Sequence, residues 1–349
     1  MASNLDVRFI ANRLSSEHQG YDLIATKMAA SGHGSHEGYR DDDQGTRIPA
    51  AIAARLPWWK GLSRADAYHA FLLWSGGLRP RPRLHHVVWG DALATTIHSR
   101  APYTLTVHQP HEIWSKEFVQ SLPGAAGVVV VAEREREKLK ELFPDLPVRC
   151  VRNPVNTDFF VPAATPPSGR KVIVAAGKHL RNHAMLARVA ARLIAQRDDV
   201  EFRVVLNPDF EWPEAVRAQI PKERFTTLHR LSAEALRDLY QSGWAACLPY
   251  NNVTASNSLC EAMACGLPIV TTDVGGMHTY GGNESMILTR NDDDDAMVRE
   301  LNALLDSPER RHEIGQRARK YAETHLAWPV VLRELETFLD DVKRAAGRL

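Results

Sequence analysis

Cysteine is scarce in this chain: four residues in 349, at Cys150, Cys247, Cys260 and Cys265. Their spacing matches neither a zinc-ligand set nor a paired disulfide framework. Three stand in apolar runs and read as small core residues, which fits a reducing compartment. An excess of one charge is also missing. The 43 Lys and Arg balance 42 Asp and Glu to a net +1, and there is no basic tail, which argues against nucleic acid as a partner. No run approaches the ~20 apolar residues of a membrane-spanning helix, and the first residues lack the charged-then-apolar form of a signal peptide. The expectation is a soluble, cytoplasmic protein. Its 349 residues are long for one core and comfortable for two domains.

Short apolar strands alternate with helical patterns along the chain. This order implies an α/β fold with parallel sheets covered by helices on both faces. In the first half, strands are expected at 7–11, 86–89, 103–107, 127–132 and 148–151, with helices at 21–30 and 133–142. The charge run in the latter reads as a solvated helix face with spaced ion pairs. Residues 31–45, rich in Gly, His and Asp, read as a mobile loop. A metal site built from His33, His36 and Asp41 to Asp43 is disfavoured, because no compact ligand set on a fixed scaffold is visible. Trp58, Trp59, Phe71 and Trp74 mingle with Lys60, Arg64, Arg79, Arg81 and Arg83. The simpler reading is a helix packed by its aromatics with a Pro/Arg-rich surface loop behind it. The other is a weak peripheral contact with the inner face of the membrane.

In the second half, strands are expected at 171–176, 201–206, 244–248 and 269–273. Residues 163–169, Pro-rich and small, read as a linker. Ser232 caps a helix with Glu234 early in it. The acidic run 291–295 is expected to cap the helix at 296–305 and complement its dipole in preference to binding a metal. Helices at 308–324 and from Trp328 to about 344 close the chain.

The most informative stretch is 249–268. A strand ends, the small residues Ala255, Ser256, Asn257 and Ser258 form a loop, and a short helix follows. Ser258 with Glu261 three residues on is read as a capping box, Gly266 as a left-handed helix stop, and Pro268 as a bar to resumption. A loop feeding a helix N-terminus after a strand suits an anion, since unpaired N–H groups and the helix dipole point at it. The plain alternative is that Glu261 does no more than cap.

Glu261-Ala262-Met263-Ala264-Cys265-Gly266-Leu267-Pro268-Ile269-Val270, followed by Thr272-Asp273-Val274-Gly275-Gly276, resembles the donor-site signature of GT-B glycosyltransferases, specifically the retaining nucleotide-sugar-dependent family four. The resemblance implies two doubly wound Rossmann-like domains facing a cleft: 1–162 on the acceptor side, a linker at 163–169, and 170–327 binding the nucleotide sugar. The terminal helix, 328–349, would cross back to complete the first domain. It implies that Glu261 binds the ribose diol and that the loop Ala255, Ser256, Asn257, Ser258, Leu259 receives the diphosphate. Gly177, Lys178 and Arg181 follow the strand 171–176, where the family carries two cations that grip the diphosphate without a metal. Arg230 and Leu231 fall where the nucleotide base is held. In the first domain, His108 matches the family's cleft histidine, which contacts the transferred sugar; His111 is a weaker match, and Gly20 alone stands near the first helix. Val253 departs from the pattern, because the family usually carries a second glutamate there, eight positions before Glu261 and contacting the donor sugar.

The expected function is transfer of a sugar from a nucleotide diphosphate-sugar to an acceptor hydroxyl (glycan, lipid-linked or small-molecule) with retention of configuration. The nucleotide sugar is a co-substrate, with no cofactor and no metal. Two alternatives stay open: a nucleotide-sugar epimerase of the same architecture, and a relative that binds nucleotide sugar without turnover.

Overall fold

The computed structural model describes residues 5–12, 18, 20–40, 43–56, 62–76, 78, 83–93, 99 and 101–346. The chain divides into two units, residues 1–152 with 329–349, and residues 153–328.

In the first unit the strands are β1 (Val7–Ile10), β2 (Gly34–Glu37), β3 (His85–Val87), β4 (Tyr103–Val107), β5 (Gly127–Val130) and β6 (Val148–Cys150). They form one parallel sheet in the order β2-β1-β3-β4-β5-β6. In the second unit β7 (Lys171–Ala176), β8 (Val200–Val205), β9 (Phe225–Leu228), β10 (Ala245–Leu248), β11 (Ile269–Thr272) and β12 (Ile287–Thr289) pair as β12-β11-β10-β7-β8-β9. Both sheets are parallel throughout their recorded pairings. Central strands such as β4, β5 and β10 are buried at every position, because helices cover both faces of such a sheet. The chain order of both sheets reverses direction once, between β1 and β3 and between β7 and β10. The carboxyl ends of the strands flanking such a reversal leave a crevice where ligands bind in open α/β sheets.

The helix Asn257–Ala264 packs into the second unit's core with Leu259, Cys260, Ala262, Met263 and Ala264 wholly buried. Burial of Leu259 or Met263 stabilises the unit by about 1.5–3 kcal/mol each. Gly266, at φ +64, ends this helix as expected. All four cysteines are buried and free. The acidic run also behaves as expected: Asp293 caps the helix Asp294–Asp306 by accepting from the Ala296 amide.

Three features differ from the sequence expectation. Residues 31–45 are not a featureless loop. They hold the edge strand β2 and the start of the helix Gln44–Ala53. A four-residue strand of Gly, Ser, His and Glu carries no hydrophobic signal, and its place is set by backbone pairing with β1. Second, the helix Arg64–Gly76 packs through Ala67, Ala70, Leu72 and Leu73, whereas Trp74 is 43% exposed and meets Phe71 at 6.2 Å. Trp58, Trp59, Lys60, Arg79 and Arg81 lie outside the described residues; Arg83 pairs with Asp6. Third, the division between units falls at residue 152, ahead of the expected 162. Residues 153–162 belong with the second unit because Val155 bridges Ala327 and Phe160 is buried in that core.

Candidate functional site

The reversal in the second sheet brings together two loops, one leaving β7 and one leaving β10. The first begins at Gly177, whose φ of +104 is open chiefly to glycine. A Cβ there would fall 2.4 Å from Nη2 of Arg181, so the missing side chain is the space the guanidinium occupies. Arg181 pairs with Tyr250 through an isolated antiparallel bridge and lies over its ring, 3.8 Å from the centroid. Its Nη2 donates to Ser256 Oγ at 3.0 Å and also to Ser258 Oγ. Ser258 Oγ in turn donates to the Ala176 carbonyl at 3.2 Å. Asn182 caps the following helix, His183–Gln196, by accepting from the Met185 amide. Lys178 is exposed and has no hydrogen-bond or charged partner among the described residues, and no described carboxylate pairs with Arg181.

The second loop enters the helix Asn257–Ala264. Its cap is Ser256, in extended conformation with Oγ accepting from the Leu259 amide at 3.3 Å, in place of the expected Ser258. Ser258 is the second helical residue and is taken up by Arg181 and Ala176. No described acceptor meets the backbone N–H groups of Ala255, Ser256, Asn257 and Ser258, and the first helical turn supplies none itself. Asn257 Oδ1 accepts from Asn153 at 3.2 Å. The Leu259 side chain is in the core and its amide in the cap, so it contributes only to the helix.

Glu261 does not reach back to cap. It is 6% exposed, and its Oε2 accepts from the Tyr240 hydroxyl at 3.1 Å. Burial pushes its carboxyl up to about 7, opposed by the Tyr240 hydrogen bond. Its other oxygen has no partner among the described residues. Tyr240 sits on the helix Ala233–Ser242, 21 positions away, with no local signal to mark it in the sequence. Val253 is 4% exposed, its side chain lies in the apolar core, and its carbonyl accepts from the Gly276 amide at 2.7 Å. It therefore offers no side chain to a ligand. Arg230, at φ +50, is exposed beyond the end of β9, and Leu231 is half-buried against the core.

In the first unit, His108 follows β4. Its ring stands 4.1 Å from Trp89 and 4.4 Å from Tyr21, centroid to centroid. Nε2 donates to the Val88 carbonyl at 2.8 Å, which fixes the tautomer and makes Nδ1 the acceptor. Desolvation lowers its pKa, so the ring is neutral at pH 7. Asp91 accepts from the amides of His108 and Gln109 and so holds the turn. Gly20, at φ +102, precedes the helix Leu23–Ala30, and its carbonyl accepts from the Leu23 amide.

His111 lies 3.3 Å from Glu135 Oε1 and 3.4 Å from Arg134. Glu135 is a correction to the solvated helix face: it is wholly buried, and desolvation pushes it up to about 7. His111, Glu112 and Glu135 form a group with metal-ligand spacing among the described residues. Arg134 already pairs with both carboxylates, so that charge is spent within the protein. Among the described residues, no helix is long and apolar enough to cross a membrane.

Residues 170–307 match the family model described as glycosyl transferases group 1. The chain is 30% identical over 182 residues to a Mycolicibacterium hassiacum MMP alpha-(1->4)-mannosyltransferase, an alignment covering 51% of this chain and 44% of that protein. The chain thus spans less than half the length of this relative. In fold it resembles sucrose-phosphate synthase from Thermosynechococcus elongatus, with a TM-score of 0.73 at 15% identity over 97% of this chain and 99% of that one. It also resembles Anabaena HepE, whose structure holds UDP and glucose, with a TM-score of 0.65 at 14% identity over 96% and 99% of the two chains. Two parallel six-stranded sheets of this order are the GT-B architecture of those structures, and residues 170–307 are similar to the glycosyl transferases group 1.

Proposed function

We propose that this chain transfers a sugar from a nucleotide diphosphate-sugar to an acceptor hydroxyl, with retention of configuration and without a metal. The observation that carries this reading is the cation Arg181, held by Ser256 and Ser258 at the amino end of the helix Asn257–Ala264 with no carboxylate among the described residues to neutralise it. A diphosphate there would meet the unpaired N–H groups of residues 255–258, the positive end of the helix dipole, Arg181 and the unpartnered Lys178. As the donor bond breaks, charge grows on the leaving diphosphate. Cations already in position stabilise that charge more in the transition state than in the ground state. The leaving phosphate oxygen takes the acceptor hydroxyl's proton on the face where the new bond forms, which preserves the anomeric configuration. Glu261 presents its free oxygen to the ribose diol while Tyr240 holds the other. His108, neutral with Nδ1 as acceptor, takes a hydrogen bond from a hydroxyl of the transferred sugar. Val253 leaves the family's usual second carboxylate missing, so the sugar is recognised with one fewer charged contact.

The test is a thermal-shift screen over nucleoside diphosphates and their sugars, followed by donor incubation with and without acceptors. A ligand that binds only the folded state raises the melting point. Stabilisation by a nucleoside diphosphate, and a product with the donor's anomeric configuration, support the proposal. Conversion of the donor sugar without any acceptor would favour an epimerase instead.

A further inference from the structure

The second unit has a cavity at the opposite end of its sheet from the proposed diphosphate loop. It has a volume of about 890 Å³ and lies where the chain enters β10 and β11, beside Trp244 and Leu267-Pro268. The diphosphate loop leaves the other ends of those strands. The helix Pro308–Tyr321 and residues 162–167 complete the walls. Pro162, Pro166, Pro167, Leu267 and Pro268 make one side apolar.

The other side is basic. Arg311, His312 and Lys320 line it; the acid there, Glu323, is already paired with Arg319. Arg319 is further committed to the carbonyls of Phe160 and Ala264. Arg311 is different. Its guanidinium lies over the Trp244 ring at 4.0 Å from the centroid, and its Nη1 is buried with no hydrogen-bond partner. Trp244 Nε1 is likewise buried and unpartnered. Two buried donors left unpaired on stacked side chains cost stability unless an acceptor reaches them. Nothing in the diphosphate reading uses either residue.

We propose that this cavity is a second ligand site, for a small molecule with an apolar or aromatic body and a phosphate or carboxylate head. Both nitrogens are closed to water while Arg311 is stacked on Trp244, so the ligand turns Arg311 off the ring. Its anionic oxygens then accept from Arg311 Nη1 and Trp244 Nε1, with Lys320 adding charge and the body lying along the proline wall. Arginine suits such a head because its fork offers paired donors to two oxygens.

Phenyl phosphate and benzoate are the probes, titrated by calorimetry into the full chain; the tighter of the two identifies the head group. Saturable binding of at least one is expected, unchanged by saturating uridine or guanosine diphosphate. Arg311→Gln should weaken it by about tenfold or more, and Trp244→Phe by about threefold. The double variant His312→Ala/Lys320→Ala, at exposed positions, should weaken it without disturbing the fold. No saturable binding of either probe, displacement by a nucleoside diphosphate, or full affinity in Arg311→Gln and in the double variant would each overturn the proposal. These outcomes are independent of whether the chain transfers a sugar.

Discussion

The Tyr240 hydroxyl donates to Glu261 Oε2 across 3.1 Å, and both side chains are buried. Burial holds Tyr240 well above its ordinary pKa, so the phenol stays protonated as the donor. It also raises Glu261 from the ordinary carboxylate range to about 7. A fold designed only for stability would have no use for a carboxylate inside the helix Asn257–Ala264. Its cost is consistent with a ligand contact.

Glu261 therefore predicts a separation of stability from binding. A carboxyl raised in the folded state stabilises below its unfolded value near 4.5, and this contribution is lost as pH rises through about 7. Relative to Glu261→Gln, the wild type should lose about 3 kcal/mol of stability between pH 4.5 and pH 7, measured by urea titration at several pH values. The same substitution should weaken nucleoside diphosphate binding by about tenfold or more at pH 8. Equal pH profiles for the two proteins would remove the burial argument.

Lys178 is exposed and has no partner among the described residues, so its proposed role at the diphosphate can be removed without disturbing the fold. Lys178→Gln should change stability by less than about 0.5 kcal/mol. Transfer at saturating acceptor should fall by about tenfold or more. Chemical denaturation and initial rates on one preparation check both halves.

Val253→Glu restores a carboxylate that the resembling family usually carries, at a position whose side chain lies in the core. The position is 4% exposed within the apolar core, and its carbonyl anchors Gly276. An unpaired buried charge there should destabilise the unit by about 3 kcal/mol or more. A variant of full stability with a new sugar preference would show that the side chain can turn outward.

The cap assignment is separable by two serine substitutions. Ser256→Ala removes the acceptor for the Leu259 amide and should cost about 1 kcal/mol of stability. Ser258→Ala leaves the cap intact, removes one of the two serine contacts of Arg181 and frees the Ala176 carbonyl, so its main effect should be on nucleotide affinity. The paired denaturation and binding measurements distinguish them.

These residues also show what a sequence can disclose. Helix ends marked by Ser232, Asp293 and Gly266 were legible because a cap is a local event, decided within three or four residues. The choice between Ser256 and Ser258 was not, since both fit a cap; only the fold shows Ser256 accepting from the Leu259 amide while Ser258 turns to the distant Ala176 carbonyl. Strand β2 was invisible because its four polar residues are fixed by their neighbour and carry no pattern of their own. Lys178 and Arg181 were singled out by family resemblance, and the fold brings Arg181 to Ser256 and Ser258. Tyr240 could not, because 21 residues and a whole strand separate it from the carboxylate it holds.

The most direct measurement is calorimetric titration of uridine and guanosine diphosphate into the wild type and Arg181→Gln, with EDTA present throughout. Held between the helix's amino end and two cations, at least one diphosphate should bind the wild type saturably without divalent metal, and the substitution should weaken it by about tenfold or more. Binding that appears only when a metal is supplied, or equal affinity in the two proteins, would contradict the proposed site.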